Sequence, residues 1–527
     1  MPRTSTFRTR LVALAGATAL LLSACGMGAP MASAPTTNDA GAMEAESAVG
    51  FTQGQVRPEL APRGMFFADY GVNGFVETAQ DNLSTFAVDV DTGSYAVARA
   101  YLDDGHLPPP ASVRPEEFVN YFDYGYPVPD RTATFNIMVD GAPSPFSPNP
   151  ATHLLRVGIQ GYEMAPEQRP DVALTFVIDV SGSMTMENRL ELVKQSLRLL
   201  VEELRPSDAV AVVVYGDAAR IVLPMTPLDA RETVLQAIDA LASDGATNAE
   251  AGLRLAYEHA WEHFDSTKIN RIVLASDGVA NVGATGPAAI LETIGQYAVR
   301  GLTLTTVGVG MGNYNDVLME QLADQGDGIY AYVDGMDEAR DLFVHDLTGT
   351  LLTIARDAKI QVEFNPETVA RYRLVGYENR DVADDDFRND SVDAGEIGAG
   401  HSVTALYEIQ LTGQHQDEQA EIATVRLRWE EPESSQVMEL AQTLTLDQVA
   451  TDFAAAQRSF QLAATVAEYA EYLRASEWSV ASLAQISEQA ERMNRQWAAN
   501  DGSAAQVHEF AGLVRKAMEP SLAQHTN

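Results

Sequence analysis

The sequence predicts an α/β protein: a doubly wound parallel sheet inserted in, or flanked by, an antiparallel β-sandwich, with helices at the C-terminal end. Three observations carry this. From about Asp171 onward, apolar strand-like runs alternate strictly with amphipathic helical stretches, a pattern that buries a parallel sheet under helices on both faces. Segments within 358–429 instead alternate apolar and polar residues between turn residues, as a sandwich requires. Beyond Asp447 the apolar period becomes helical. The 527 residues allow roughly three or four domains at about 100–200 residues each.

The N-terminus has the features of an export signal. Arg3, Arg8 and Arg10 precede a 12-residue apolar run at 11–22, shorter than the ~20 residues of a stable spanning helix. The run ends in Leu22-Ser23-Ala24-Cys25, which resembles the lipobox of bacterial lipoproteins. The resemblance implies removal of residues 1–24 and a diacylglycerol on the Cys25 thiol, holding the body on a membrane without a spanning helix. Position 26 is Gly and not the Asp associated with inner-membrane retention. In a cell with two membranes, the expected address is therefore the outer one, facing the periplasm or the surface. Cys25 is the single cysteine, which excludes an intrachain disulfide and any Cys-based metal site.

Residues 25–78 read as a low-complexity tether rich in Ala, Pro, Ser, Thr and Gly. An N-terminal module at 79–130 follows, with a strand at 84–90, a helix at 95–102, the turn Leu107-Pro108-Pro109-Pro110 and a short helix at 116–122. Strands at 134–139 and 153–162, within 131–168, are too few to form a stable sheet alone. They are expected to pair with strands of a β-domain at 357–446, predicted at 358–364, 372–377, 402–411 and 421–429. That pairing would make the α/β domain, 169–356, an insertion. The α/β strands are predicted at 172–178, 209–215, 221–223, 271–275, 302–308 and 328–333. Helices are expected at 189–204, 231–241, 249–263, 288–299, 317–323 and 337–354. The C-terminal region, 447–527, reads as helices at 447–474, 480–499 and 503–518.

Composition limits the partners. Asp+Glu 74 against Lys+Arg 35 gives a formal net charge of −39, which repels nucleic acid and anionic lipid surfaces alike. A content of 46% hydrophobic and 8% aromatic residues fits a folded chain and not a disordered one.

The chemistry concentrates where the first central strand ends, in Phe176-Val177-Ile178-Asp179-Val180-Ser181-Gly182-Ser183-Met184. One carboxylate and two hydroxyls leave the carboxyl end of a parallel strand, where open α/β sheets keep their ligand crevice. Alternate positions point the three oxygens the same way, and Gly182 permits a tight turn around them. Oxygen-only ligation suits a hard dication such as Mg²⁺, with Mn²⁺ or Ca²⁺ as substitutes. Two further loops, Asp244-Gly245-Ala246-Thr247 and Ser276-Asp277-Gly278, offer the Thr247 hydroxyl and the Asp277 carboxylate.

This Asp-x-Ser-x-Ser run with Thr247 and Asp277 resembles the metal-ion-dependent adhesion site of von Willebrand factor type A domains. The resemblance implies that Asp179, Ser181, Ser183, Thr247 and Asp277 bind the cation directly or through water. Ala246 departs from the second glycine that many members carry. Two carboxylates and three hydroxyls leave a position to water, which an Asp or Glu of a protein partner can replace. Ser84-Thr85-Phe86-Ala87-Val88-Asp89-Val90-Asp91-Thr92, Asn120-Tyr121-Phe122 and the stretch 393–401 look like the flanking regions of bacterial type A lipoproteins.

Weaker signals receive plainer readings. Asp89 and Asp91 could hold a second cation, but a helix cap from Asp91 or Thr92 is favoured. The acidic stretch 381–393 lacks the glycine and terminal Glu of a calcium loop and reads as a solvated hairpin. His259 and His263 lie four apart, with Ala260 where a zinc protease would place Glu, and read as a surface pair. No phosphate loop, nucleophile elbow or His-plus-nucleophile grouping stands out, so no enzyme is expected. The leading expectation is a lipid-anchored envelope protein that grips an acidic protein partner through the cation. The alternative is an envelope assembly factor with a vestigial site, and a metal-dependent hydrolase is remote.

Overall fold

The computed structural model describes residues 58–60, 65–130, 132–278, 287–312, 314–413, 417–497 and 503–519. The export signal, Cys25 and most of the expected tether lie outside the described residues. The end of that tether, 65–78, is instead part of the fold. β1 (Pro58–Leu60) pairs with β2 (Phe66–Ala68), Met65 and Phe67 are buried in the α/β core, and β3 (Val76–Glu77) joins a sheet edge. The small residues that dominate 25–78 mask the Met65-Phe66-Phe67 cluster, whose apolar area folds this stretch down.

The N-terminal module contains β4 (Leu83–Ala87), α1 (Gly93–Asp103) and α2 (Pro115–Asn120), and is followed by β5 (Phe135–Pro143) and β6 (Thr152–Gly161). The α/β unit runs β7 (Val172–Asp179), α3 (Arg189–Glu203), β8 (Ala209–Tyr215), β9 (Arg220–Pro227), α4 (Arg231–Asp239), α5 (Ala249–Glu262) and β10 (Ile269–Ser276). It continues with α6 (Pro287–Ala298), β11 (Leu302–Val309), α7 (Asp316–Asp324), β12 (Tyr330–Val333), α8 (Met336–Arg340) and α9 (Leu347–Leu351). Its six-stranded sheet has the order β12-β11-β10-β7-β8-β9 and is parallel apart from the edge strand β9. Successive side chains of β7 enter opposite cores. Phe176 and Ile178 pack with Val193 and Leu197 of α3 and Ile238 of α4. Val177 packs with Leu253 of α5, Ile294 of α6 and Leu322 of α7. Each such side chain contributes about 1.5–3 kcal/mol when fully buried, so a strand covered on both faces is apolar throughout.

β13 (Thr353–Phe364), β14 (Val369–Val375), β15 (Gly395–Gly398), β16 (Ser402–Leu411), β17 (Glu421–Glu430) and β18 (Val437–Thr445) build an antiparallel sandwich with the earlier strands. One sheet is ordered β15-β13-β17-β18, with β4 also on β13, and the other β3-β14-β16-β6-β5. β6 and β16 form a continuous ladder from Thr152↔Gln410 to Gln160↔Ser402. Strands before and after the α/β unit thus share one sheet, and the unit is an insertion in the sandwich. α10 (Arg458–Leu473), α11 (Leu483–Gln496) and α12 (Ala504–Ala517) pack with α1 and α2 around Tyr95, Phe118, Phe122, Leu462, Tyr469 and Phe510. Among the described residues no helix is long and apolar enough to cross a membrane.

Two expected helices differ, and one strand was not expected. The helix expected at 337–354 is broken by a π-helical turn at Asp341–His345 and stops at Leu351, because Thr353 already pairs with Gly398 in the sandwich. The helix expected at 447–474 begins only at Arg458; Val437–Thr445 is strand, and two short 3-10 turns fill the gap. β18 shows no alternation because residues 437–442 are exposed on both faces of a sheet edge, so burial imposes no period there.

Asp89 and Asp91 form no helix cap. Thr92 stands at the N-cap of α1 without a side-chain bond, and both carboxylates turn inward. Asp89 Oδ1 accepts the Asp91 amide at 2.9 Å and Asp91 Oδ1 the Tyr330 amide at 3.0 Å. Arg380 lies 3.3 Å from Asp89, 3.3 Å from Glu320 and 2.9 Å from Asp324. Arg114 bonds Glu117 and lies 2.6 Å from Asp316. This buried network clamps the N-terminal module, α7 and the β-domain together, and its acids outnumber its guanidinium groups.

Glu116 is buried beside the clamp, and its carboxyl is pushed up to about 8, by burial first and by the Glu378 charge second. The folded chain therefore holds a proton that the unfolded chain releases near 4.5. The resulting stabilisation is complete below about pH 4.5 and is lost as the pH climbs through about 8. Between about pH 6 and pH 9 the melting temperature of the wild type is expected to fall, and Glu116→Gln to flatten that fall. Thermal melts at constant ionic strength check this, and identical slopes in the two proteins would refute it.

Candidate metal centre

The order of winding creates the site. From β7 the chain steps to β8 on one side, then returns through α4 and α5 to β10 on the other. The loops leaving the carboxyl ends of β7 and β10 therefore diverge to opposite sides, opening a crevice at the switch point of the sheet. The parallel register pairs Ala275 with Ile178, which brings the ends Ser276-Asp277 and Asp179 level across that crevice.

Asp179 is 0% exposed. Its Oδ1 accepts the Ser181 amide at 2.8 Å and its Oδ2 the Ser276 hydroxyl at 2.9 Å. The Ser183 hydroxyl donates to Asp277 Oδ1 at 3.0 Å, and the Ser181 and Ser183 hydroxyl oxygens lie 3.0 Å apart. The third loop is stitched to the first. The Asp244 amide donates to the Val180 carbonyl at 2.6 Å and the Gly182 amide to the Gly245 carbonyl at 3.0 Å, while the Ser243 hydroxyl donates to the Ser181 carbonyl at 2.8 Å. Asp179, Ser181, Ser183 and Asp277 thus form one connected cluster. Thr247 lies two residues beyond that seam, half-buried and without a hydroxyl bond to the other four. The cap of α5 falls to Asn248, which accepts the Ala251 amide at 3.1 Å, so the Thr247 hydroxyl has no capping task. The serines do not cap α3 either; Asn188 holds that position.

These residues can hold a small dication. Each Asp179 oxygen uses one lone pair in the bonds above and retains another. Ser183 turns its proton to Asp277 and accepts from the Ser181 hydroxyl, which leaves one lone pair available. An octahedron of ~2.0–2.1 Å bonds, as Mg²⁺ prefers, has adjacent oxygens about 2.9 Å apart, close to the Ser181–Ser183 spacing of 3.0 Å. Burial holds the Asp179 carboxyl above the usual carboxylate range, against the bonds from Ser181, and the Asp277 charge adds to the rise. A cation at this point reverses that bias, because it favours the ionised form of both acids.

Sequence reasoning missed several residues that build the site. Asp217 Oδ1 accepts the Ala246 amide at 2.7 Å and holds the third loop from the end of β8. A Cβ on Gly216 would stand 2.0 Å from the Asp244 carbonyl oxygen, and one on Gly245, at φ +72°, 2.1 Å from the Asp217 carboxyl carbon; only glycine allows this approach. Arg189 Nη1 lies 2.7 Å from Asp277 Oδ2. Gly216-Asp217 also leaves the carboxyl end of a parallel strand, and that position was the available signal.

The weaker candidates are engaged elsewhere. His259, Glu262 and His263 bring one ligand atom each within 4.8 Å of one another, yet His259 is buried and not a surface residue. Its Nε2 accepts the Met225 amide at 3.2 Å, which commits one ring nitrogen of the three-residue group. The 381–393 stretch is pinned by buried Val382 and Phe387 and is tied to neighbouring strands through Thr85–Asp384 at 2.6 Å and Arg428–Asp390 at 2.6 Å.

Comparison with known proteins agrees with this architecture. A family model described as von Willebrand factor type A domain matches residues 174–279, a span that contains all five site residues. A model described as von Willebrand factor matches 62–156, and one described as the C-terminal part of the uncharacterized protein YfbK matches 349–519. YfbK of Escherichia coli (strain K12) is 39% identical over 437 residues, covering 78% of this chain and 74% of YfbK. The uncharacterized protein sll0103 of Synechocystis is 26% identical over 309 residues, 57% of this chain and 71% of its own length. Among solved structures, a von Willebrand factor type A protein from Catenulispora acidiphila aligns with 74% of this chain and 89% of its own, with a TM-score of 0.40 and 15% identity.

Proposed function

Because the chain belongs to the family of the Escherichia coli protein YfbK, with a type A domain at its centre, we propose that it is a metal-dependent protein-binding component of the cell envelope. Asp179, Ser181, Ser183, Thr247 and Asp277 hold Mg²⁺ or Mn²⁺, and an Asp or Glu of a partner protein completes the coordination. Cys25 carries the lipid that keeps the body at the membrane, on the outer membrane in a two-membrane cell. The chain binds its partner and does not transform it.

One observation carries this reading: hydroxyl and carboxylate oxygens from separate loops gather at the switch point, with Ser181 and Ser183 at the 3.0 Å spacing of adjacent ligands. The same oxygens satisfy one another through hydrogen bonds, and a cation bound here would take up the lone pairs those bonds leave free. When bound, the cation supplies an electrophilic centre for an anionic oxygen. The protein residues set where that centre sits and keep its outer position open to the partner.

The test is capture from a detergent extract of envelope membranes by the tagged soluble body. Partner proteins are expected to be retained in Mg²⁺ or Mn²⁺, released by EDTA, and retained again when the metal is restored. Capture that is indifferent to EDTA would overturn this reading and favour a metal-independent scaffold.

A further inference from the structure

Arg189 is the first residue of α3 and is only 3% exposed at its side chain. Its Nη1 lies 2.7 Å from Asp277 Oδ2, while Nη2 lies 3.1 Å from Glu187 and bonds the Met311 carbonyl oxygen. Three separate costs attend this arrangement. A cation at a helix N-terminus opposes the helix dipole. Glu187 and Asn188, both non-glycine, adopt φ of +52° and +57° to deliver Arg189 inward, a left-handed conformation that strains Glu187 more than Asn188. Gly310, at φ +77°, is required because a Cβ there would stand 2.2 Å from Arg189 Nε. Strain concentrated on one buried charge beside a ligand crevice points to a role in the site.

Charge arithmetic identifies the role. A dication held by Asp179 and Asp277 alone is neutralised, and a neutral centre discriminates weakly between a carboxylate and a hydroxyl or carbonyl oxygen. Arg189 offsets Asp277, so the loaded centre keeps one positive charge. Glu187, the other acid that Arg189 touches, is 55% exposed at its side chain, and solvent screens it. We infer that Arg189 determines specificity: it gives the loaded site a net positive charge, restricts its ligands to anionic oxygens, and holds one oxygen of Asp277 away from the cation. The inference rests on the cation-binding reading above.

The test uses Mn²⁺ alone, followed by calorimetry, and acetate on the Mn²⁺-loaded protein, followed by the water-proton relaxation of the bound ion. Arg189→Gln is expected to bind Mn²⁺ about tenfold more tightly and to take acetate about tenfold more weakly. Arg189→Lys, which keeps the charge, should stay within about threefold of the wild type in both measurements. Glu187→Gln, an isosteric change at a side chain that is 55% exposed, should move both affinities about two- to threefold in the opposite direction. This reciprocal shift keeps the assignment testable if Arg189→Gln folds poorly. A wild type that binds Mn²⁺ and acetate, beside variants that match it, would overturn the role of Arg189 alone. A wild type that takes up no Mn²⁺ would overturn the cation-binding reading and this inference with it.

Discussion

Asp179→Ala is expected to abolish binding of Mg²⁺ and Mn²⁺ by the soluble body, lowering affinity by more than about 100-fold, since loss of outer-shell partners alone typically costs 10–100-fold. Asp179 is the carboxylate of the centre without a guanidinium partner, whereas Asp277 shares its charge with Arg189. Its removal therefore takes away the largest uncompensated attraction for the cation. It also leaves the Ser181 amide and the Ser276 hydroxyl without their acceptor, at about 1–3 kcal/mol for a buried donor left unpaired. Asp179→Asn keeps an acceptor for the amide and separates the two effects: it should fold as the wild type does and still lose the metal. Because burial raises the proton affinity of Asp179, cation affinity should also fall as the pH is lowered, protons competing for the same oxygens. Calorimetry at neutral pH decides the matter, and uptake by Asp179→Asn within tenfold of the wild type would sink the ligand assignment.

Arg114→Met is expected to cost about 3–5 kcal/mol of stability, the range for removing one partner of a buried ion pair. Arg114 faces Glu117 and Asp316, both 0% exposed, and Glu320 at 3.8 Å. Methionine fills similar space, so the loss reports uncompensated charge more than a cavity. Adding Glu117→Gln should recover part of it, because the pair acts as a unit. The freed carboxylates can take up protons, so the loss should shrink as the pH is lowered. Urea unfolding of both variants measures this, and a loss below about 1 kcal/mol would show that the clamp does not hold the N-terminal module in place.

Much of the fold was legible because burial imposes a period. The doubly covered strand β7 had to be an unbroken apolar run, and α3 had to carry Leu190, Val193, Leu197 and Leu200 along one face. Elements without that constraint were not legible. Residues 437–442 of β18 are exposed on both sides, and the break after α8 follows from a strand pairing with residues about 45 positions later. The same division runs through the site. Asp179, Ser181, Ser183 and Asp277 end neighbouring parallel strands or follow them, so their convergence follows from sheet order. Arg189 follows two left-handed residues, and nothing local distinguishes it from the first residue of any helix.

The fate of the other acidic pairs shows where sequence reasoning stops. Asp91 looked like a cap because a helix follows at once; the partners of Asp91 and Asp89, Tyr330 and Arg380, come from more than 200 residues away. By itself the chain determined which residue types lie where strands end, and hence the chemistry on offer: hard oxygens, one thiol, a large excess of negative charge. Tertiary structure alone decided which of those charges are neutralised. Coulomb energies depend on distance and burial, and a guanidinium delivered through strained backbone to Asp277, or from a distant part of the chain to Asp89, leaves no trace in local spacing.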